Sequence, residues 1–365
     1  MSAPSPDAFS AAVDDARASR PVSALAARIV QGATPAPVYV LGRNRESEAL
    51  CGHLKIAGLV DDFSPPGAEW RGLPVVRGDQ LPAGAIVINA STSIRPVDAQ
   101  ARLRALPVES LPVCAVVAAS GGELAAPAFV RRQQISWDGR RGEWIALYSE
   151  LADEVSRQTL FDVLRYRLTA DPDVMLGYRV RLADQYFEDF LELGAERFID
   201  AGAFDGDTAE AFCRRYPDYL EVLLFEPSAI NLERARARLT GMPRLRFFEE
   251  GLSDRAGVLS FDAASGSASA VSESGSEQIR VTTLDAVDCA PPSFIKMDLE
   301  GWEEAALEGC RRIVTTHRPK LAIAAYHDAD HFLDIRAKVA SQRRDYHLRL
   351  SHYTQGWSET VLYFS

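Results

Sequence analysis

The chain has 365 residues, 47% of them hydrophobic and 25% charged, and a formal net charge of -11 at pH 7. A chain of this length usually forms two domains, and its composition excludes a globally disordered protein. The negative charge argues against a nucleic-acid partner, and no apolar run approaches the roughly 18 residues of a membrane span.

The five cysteines are widely spaced and form no Cys-x-x-Cys pair, which is typical of reduced structural thiols. The N-terminal stretch contains Asp and Pro where a signal peptide has a basic start and an apolar core. We therefore expect a cytoplasmic protein that acts on neither membranes nor nucleic acids.

The first third of the chain is predicted to contain a small Rossmann-like α/β domain. Residues 1–35 are rich in Ala, Ser and Pro and are expected to be loosely ordered, apart from a helix near residues 21–31. Beyond them, short apolar runs separated by Gly and Pro predict a βαβ-type layer. The predicted strands cover residues 38–41, 56–60, 85–90 and 113–117, with a helix through Leu54 after the first.

This domain is only weakly similar to a dinucleotide-binding fold. Gly42 stands alone in the first turn, where the dinucleotide fingerprint has three glycines. Residues 58–63, a short strand that runs into two aspartates, resemble small Rossmann-like domains attached to sugar-modifying enzymes. A structural or regulatory role is therefore favoured over cofactor binding.

The region from residue 137 to residue 193 has apolar residues at helical spacing, which predicts two helical runs. The second run, residues 181–193, contains Tyr186 and Phe187, which are expected either in the core or beside a ligand. The predicted domain limits are an N-terminal segment 1–35, the α/β domain 36–130, a helical connector 131–193 and a final domain 194–365.

The final domain begins with a strand-to-helix junction that is typical of a ligand site. A strand at residues 197–200 is followed by a glycine-containing turn and by a helix at residues 208–215. Glycines let backbone amides approach a ligand. The turn is acidic, with Asp200, Asp205 and Asp207, which suits an ammonium group and would repel a pyrophosphate.

A second acidic signal follows one strand later. Glu226 and Pro227 come directly after the apolar strand 222–225. A carboxylate at that place can accept hydrogen bonds from both hydroxyls of a ribose. Together with the acidic turn, it favours S-adenosylmethionine, which has an ammonium and no phosphate, over a dinucleotide.

Three later strands are predicted to reach the same edge of the sheet. The first, residues 246–250, leads into a small polar turn that could bind adenine. The next two bring Asp298 with Glu300, and then His327, to the expected point of reaction. Residues 346–350 and 359–364 are predicted to form a C-terminal hairpin.

These ordered motifs resemble the FkbM family of S-adenosylmethionine-dependent methyltransferases over about the last half of the chain. One departure is Trp302, where many relatives have a small residue, so it is expected to affect the shape of the acceptor site rather than donor binding. The motifs that carry the resemblance are residues 198–208, 225–227, 281–285, 294–301 and 325–327, with the ending 351–354 and 359–363.

The resemblance implies a class I methyltransferase fold, with a Rossmann-like sheet of seven strands whose last strand is antiparallel, and methyl transfer to a hydroxyl of a sugar, glycan or secondary metabolite. The catalytic residues would be His327, Asp298 and Glu300. The donor would be bound at its methionyl end, its ribose and its adenine by Asp200, Gly202, Ala203, Phe204, Asp205, Glu226, Pro227, Leu252, Ser253, Asp254 and Asp298.

His327 is the first candidate for the general base, because histidine titrates near neutral pH. The alternative is that it only caps the strand end, just as Asp298 could only accept backbone hydrogen bonds in its turn. His327 and His331 are four residues apart with carboxylates between them, a spacing that suits either a divalent metal or a solvated helix start.

The serine-rich segment 265–276 is expected to be either a lid over the acceptor or an exposed linker. Two rival functions stay open: a nucleotide-dependent, sugar-modifying oxidoreductase that uses the Gly42 domain, and a non-catalytic scaffold that binds the donor. Weaker candidates for contact with the acceptor are Arg349, His352, Tyr353 and Trp357.

Overall fold

The computed structural model describes residues 3–18, 22–261 and 277–365, so the predicted lid at 265–276 lies outside the described residues. The chain forms two compact units, and neither is continuous in sequence. The first comprises Met1–Ile145, Gln158–Val180 and Tyr353–Ser358, and the second comprises Ala146–Arg157, Arg181–His352 and Glu359–Ser365. The segment predicted as a connector is therefore divided between the two units.

The first unit contains a six-stranded sheet in the order β3-β4-β2-β1-β5-β6, parallel except for the pairing of β3 with β4. Two long helices, α6 (Ala128–Glu150) and α7 (Glu154–Thr169), follow these strands, and residues 146–157, from the end of α6 to the start of α7, belong to the second unit. The preceding elements are α1 (Pro6–Ala18), α2 (Ala24–Val30), β1 (Val38–Leu41), α3 (Arg45–His53), β2 (Gly58–Val60), β3 (Glu69–Trp70), β4 (Leu73–Val76), β5 (Ile86–Asn89), α4 (Pro96–Arg104), β6 (Glu109–Pro112) and α5 (Val113–Ala119).

The structure corrects two predictions in this unit. The run 113–117, predicted as a strand, lies in α5, because Pro112 ends the ladder of β6 and the apolar side chains after it pack against α2. A short apolar run does not by itself distinguish a strand from a buried helix. Residues 6–18, expected to be loosely ordered, form α1, because Phe9 and Val13 lie one turn apart and are fully buried.

The second unit is built on a seven-stranded sheet in the order β15-β16-β14-β13-β7-β8-β9. Its last strand, β16, is antiparallel to both neighbours, which confirms the predicted class I methyltransferase fold. Strands β10, β11 and β12 form a separate small sheet. The elements are β7 (Arg197–Ala201), α8 (Asp207–Arg215), β8 (Glu221–Phe225), α9 (Ala229–Arg238), β9 (Leu245–Phe248), β10 (Gly251–Leu252), β11 (Gly257–Phe261), β12 (Glu277–Thr282), β13 (Phe294–Met297), α10 (Glu303–Gly309), α11 (Arg311–His317), β14 (Lys320–Ala324), α12 (His331–Gln342), β15 (Leu348–His352) and β16 (Thr360–Phe364).

The predicted helix at 181–193 is wrong. The chain there makes two single 3-10 turns, Leu182–Asp184 and Asp189–Leu191. Between them Tyr186 has a φ of 73°, and its amide donates to the hydroxyl of Tyr363 rather than to a helical carbonyl. This irregular backbone carries the Tyr186 side chain toward the end of the central strands.

The four central strands of this sheet, β7, β8, β13 and β14, are parallel and almost entirely buried. Their carboxyl ends therefore meet at one edge, where an open α/β sheet binds its ligands. Within the described ranges, no helix is both long enough and apolar enough to span a bilayer. The cytoplasmic location stays a prediction.

Candidate functional site

A cavity of 1290 Å³ lies at the carboxyl ends of the central strands of the second unit. It is large enough for a nucleoside donor together with a small acceptor. Seven of the predicted catalytic and donor-binding residues line it: Gly202, Phe204, Glu226, Pro227, Leu252, Asp298 and Glu300.

The turn after β7 can only be formed with glycine at position 202. Gly202 has a φ of 78°, and a Cβ there would overlap the carbonyl oxygen of Asp298. The amides of Gly202 and Ala203 both donate to the carbonyl of Phe225, which ties the turn to the end of β8. The next residue, Phe204, has a φ of 46° and a half-exposed side chain at the cavity.

Glu226 is held in place by the backbone of two neighbouring turns. Its carboxylate accepts hydrogen bonds from the amides of Phe204 and Ser228, each at 3.0 Å, and from Nδ2 of Asn231 at 3.5 Å. Burial raises the pKa of Glu226, and these hydrogen bonds only partly oppose that shift. A carboxylate has about four acceptor positions, so Glu226 can still accept a hydrogen bond from a ligand.

Asp200 was predicted to line the donor site, but it is fully buried and does not reach the cavity. Lys296 on β13 lies between Asp200 and the cavity. Its Nζ is 3.1 Å from Oδ1 of Asp200 and donates a hydrogen bond to the carbonyl of Gly202 at 2.7 Å. Burial lowers the pKa of Lys296, but the charges of Asp200 and Asp298 more than reverse this and leave it above its ordinary value. A lysine within an otherwise apolar buried strand was the sequence signal that could have revealed this residue.

The acidic turn also differs from the prediction. Asp205 forms an ion pair with Arg238 at 2.5 Å instead of lining the cavity, and Ala203 is buried beneath the turn. Of the three aspartates only Asp207, at the start of α8, reaches the cavity. The sequence shows that the three aspartates lie in or beside one turn, but it does not show which way each side chain points.

At the predicted adenine end, Leu252 lines the cavity, whereas Ser253 and Asp254 do not. The Oγ of Ser253 accepts a hydrogen bond from Nε1 of Trp302 at 3.1 Å and donates to Asp254. Trp302 itself lines the cavity. Trp302 therefore lies at the end of the cavity predicted to bind adenine. The sequence had instead predicted that it shapes the acceptor site.

His327 does not line the cavity but lies behind it among three carboxylates. Its Nε2 is 3.0 Å from Oδ1 of Asp298 and 3.4 Å from Oε1 of Glu303, and its Nδ1 is 3.3 Å from Oε2 of Glu300. Burial alone would lower the pKa of His327, but hydrogen bonds to Asp298 and Glu300 and the charge of Glu303 raise it well above its ordinary value. An imidazolium has no lone pair that can take a proton, so these surroundings argue against a general base.

Asp298 is the central carboxylate of the site. Oδ2 accepts a hydrogen bond from the hydroxyl of Tyr186 at 2.7 Å, and both carboxylate oxygens lie 3.5 Å from the hydroxyl of Tyr326. Burial would raise the pKa of Asp298, but its hydrogen bond to His327 and the positive charges of His327 and Lys296 hold the pKa well below its ordinary value. Asp298 is therefore ionised at neutral pH.

The geometry does not favour the predicted metal site in which His327 and His331 would bind one ion together. The rings of His327 and His331 are 6.2 Å apart, and Nδ1 of His331 lies 3.8 Å from Glu303. A different set, Asp298, Glu300 and His327, offers donor atoms that all lie within 4.8 Å of one another. A requirement for a divalent metal stays a hypothesis.

The four weaker acceptor candidates do not line the cavity. Arg349 pairs with Asp153, His352 contacts Thr360 and Tyr353 is fully buried, while Trp357 stacks on Phe129 in the first unit. The polar lining residues without a predicted ligand role include Gln185, Lys296 and Glu359.

In the first unit, the two aspartates that suggested a nucleotide site have structural partners. Asp61 pairs with Arg43 at 3.0 Å and accepts a hydrogen bond from Ser64. Asp62 accepts a hydrogen bond from the amide of Gly78 and pairs with Arg102. Neither carboxylate is therefore presented to a ligand in the way that a dinucleotide site requires.

Residues 353–358 belong to this unit and pack at the end of β5. The side chain of Gln355 bonds both the amide and the carboxylate of Asp98. Gly356 contacts the backbone so closely that a Cβ would overlap the carbonyl oxygens of Thr92 and Ser93. The carboxyl edge of the first sheet is therefore covered in part by the protein's own chain.

Comparison with known proteins supports the fold. Residues 200–348 match the family model described as the methyltransferase FkbM domain. The crystal structure of methyltransferase FkbM from Methylobacillus flagellatus KT is similar over 98% of this chain and 98% of its own, at 25% identity and a TM-score of 0.75. No curated protein matches the chain.

Two further structures are more distant. A putative rRNA methylase from Clostridium thermocellum covers 48% of this chain and 90% of its own, at 10% identity and a TM-score of 0.34. The structure of Aeropyrum pernix fibrillarin, solved with natively bound S-adenosyl-L-methionine, matches over 52% of this chain and 76% of its own, at 11% identity and a TM-score of 0.33. Scores this low support no conclusion about the ligands of this chain.

Proposed function

We propose that this protein, whose residues 200–348 match the methyltransferase FkbM domain, is a methyltransferase that transfers the methyl group of S-adenosylmethionine to a hydroxyl oxygen of a sugar, glycan or secondary metabolite. The acceptor is proposed to be a small molecule or a glycan, and neither a nucleic acid nor a membrane lipid. The cavity of the second unit is the proposed site.

The charge of the cavity carries the proposal. Among the described lining residues, six are carboxylates and one is an amine, Lys296; the six are Asp207, Glu226, Glu249, Asp298, Glu300 and Glu359. Such a site attracts a cation and repels the pyrophosphate of a dinucleotide. S-adenosylmethionine carries a sulfonium, an ammonium and a single carboxylate group, so its net charge is positive.

The residues present fit this donor. The glycine turn at Gly202 lines the cavity, and Glu226 has an acceptor position left for a ribose hydroxyl. The other end of the cavity is mainly apolar and would hold the adenine ring. Its lining residues are Ile230, Leu252, Ile279, Val281 and Trp302.

When bound, S-adenosylmethionine supplies a methyl group on a sulfonium sulfur, which is already a good leaving group. The chain therefore has to hold an acceptor oxygen in line and receive its proton. We assign both tasks to Asp298, which lines the cavity and is ionised. A proton on an oxygen that is being methylated is strongly acidic, so a carboxylate of low pKa suffices.

In this proposal His327 acts through Asp298 rather than as the base. Its positive charge keeps Asp298 ionised, and its contacts with Glu300 and Glu303 fix the ring. The hydroxyl of Tyr186 donates to the other carboxylate oxygen, because burial and the nearby Asp298 raise the pKa of Tyr186 and keep the hydroxyl protonated. The carboxylate is therefore oriented from two sides.

Isothermal titration calorimetry tests the donor assignment. S-adenosylmethionine should bind, and Glu226→Gln should weaken its binding by about 10-fold to 100-fold, which corresponds to the loss of charged hydrogen bonds. The control is Asp205→Asn, because Asp205 pairs with Arg238 outside the cavity. Equal losses in the two variants, or binding of a nicotinamide cofactor in place of S-adenosylmethionine, would contradict the assignment.

A further inference from the structure

Glu359 is a lining residue of the cavity that the proposed reaction does not use. It immediately precedes β16 and has a φ of 64°, a left-handed conformation that is unfavourable for a glutamate. Such strain persists only where the surrounding structure enforces it, and it is common at functional sites. The side chain is half-buried and reaches the same cavity as Asp298.

Hydrogen bonds connect Glu359 to Asp298. Nε2 of Gln185 donates to Oε2 of Glu359 at 2.9 Å and to the hydroxyl of Tyr186 at 3.1 Å. The hydroxyl of Tyr186 in turn donates to Oδ2 of Asp298 at 2.7 Å. The two carboxylates are thus oriented by one chain of polar side chains, and the cavity presents both to the same ligand.

An anionic acceptor would find no cationic partner among the described residues that line this cavity, apart from Lys296. That amine is almost fully buried, and it is occupied by Asp200 and by the carbonyl groups of Ala201 and Gly202. The carboxylates of Glu300 and Glu359, beside Asp298, would repel a phosphate or carboxylate group on the acceptor.

We infer that Glu359 is a specificity-determining residue that binds a second hydroxyl, or an ammonium group, of the acceptor whose reacting hydroxyl is held by Asp298. The acceptor is therefore a neutral or positively charged polyhydroxy compound and not an acidic one. This inference rests on the proposed function, because it assumes that the acceptor reacts in this cavity.

Three sugars that differ mainly in charge test the inference: glucosamine, methyl glucoside and glucuronate. Their dissociation constants are measured by NMR titration of the protein saturated with S-adenosylhomocysteine. Wild-type protein should bind glucosamine and methyl glucoside more tightly than glucuronate. Glu359→Gln should weaken glucosamine binding by about tenfold or more, and Glu359→Lys should reverse the order of glucosamine and glucuronate.

The matched control is Glu192→Gln. Glu192 is an exposed glutamate that also has a left-handed backbone, with a φ of 48°, but it lies outside the cavity. Thermal unfolding of each variant verifies that it is folded. The inference is overturned if glucuronate binds wild type as tightly as glucosamine, if Glu359→Gln behaves like the control, or if none of the three sugars binds.

Failure of the proposed function gives a different result. If neither S-adenosylmethionine nor S-adenosylhomocysteine binds, the donor assignment is wrong. The order of the three sugars, measured on the protein without donor, then still decides whether Glu359 selects by charge.

Discussion

Buried charges control the site at the scale of single residues. Lys296 is the buried partner of Asp200, and His327 is the positive group behind Asp298. Each carboxylate is stable as an anion only while its partner remains, because an isolated buried charge is costly. Both cations therefore contribute to stability as well as to the proposed chemistry.

Lys296→Met should lower the free energy of unfolding by about 3–5 kcal/mol, because it leaves Asp200 buried without its cation. Urea denaturation measures the loss. Lys338→Met is the control, since Lys338 pairs with Glu308 at 2.6 Å and both side chains are partly exposed, where an ion pair contributes no more than about 1 kcal/mol. Similar losses in the two variants would contradict the role given to the buried pair.

His327 predicts a dependence of stability on pH. Its pKa in the folded protein lies well above 6.5, so its contribution to the free energy of unfolding is complete below pH 6.5 and is lost as the pH rises through the folded value. The stability difference between wild type and His327→Gln should therefore shrink as the pH rises above 6.5 and through the raised folded pKa. A difference that stays constant, or His317→Gln at an exposed helix end giving the same trend, would contradict this origin.

Sequence reasoning predicted those site residues that are determined by the backbone. Glu226 and Asp298 follow directly after parallel strands, and Gly202 stands in a turn that requires glycine, so their place at the cavity follows from the fold. The direction of a side chain within a turn is set by partners distant in sequence. For this reason the pairing of Asp205 with Arg238, and of Ser253 with Trp302, could not be predicted.

At the scale of secondary structure, the long buried strands were easier to predict than the short segments between them. Alternating turns and apolar runs indicated β7, β8, β13 and β14, whose burial on both faces leaves few other assignments. The predictions for residues 113–117 and 181–193 were wrong, because tertiary contacts determine their conformation. Residues 113–117 pack on α2, and the amide of Tyr186 donates to the hydroxyl of Tyr363.

The segment 353–358 supports a prediction about packing. Gly356→Ala should lower the free energy of unfolding by about 2 kcal/mol or more, because the added methyl overlaps two carbonyl oxygens. Gly177→Ala in the same unit is the control, since a Cβ at that glycine meets nothing within 4 Å. Calorimetric or urea unfolding curves that show equal stability for the two variants would contradict the close packing.

At the scale of the whole molecule, the net charge of -11 and the carboxylates of the cavity have the same sign. The field of the protein should therefore favour the donor, whose net charge is positive, over its demethylated product, a zwitterion without net charge. This asymmetry would help release the product after each turnover.

The affinities for S-adenosylmethionine and S-adenosylhomocysteine should depend differently on salt concentration. The Debye length falls from about 10 Å at 0.1 M to about 3 Å at 1 M ionic strength, so added salt should weaken binding of S-adenosylmethionine more than that of S-adenosylhomocysteine. Calorimetric titrations at several potassium chloride concentrations measure both slopes. Equal slopes would mean that the cavity charge does not contribute to donor affinity.

The interleaving of the two units also has a consequence for biosynthesis. Residues 353–358 complete the packing of the first unit at Thr92, Ser93 and Asp98, yet they are translated after the second unit as far as His352. Domains generally fold in the order in which they emerge from the ribosome. In this chain the first unit to be translated receives its final contacts last, so the nascent protein must carry an incomplete N-terminal unit until nearly all of the methyltransferase sheet has been synthesised.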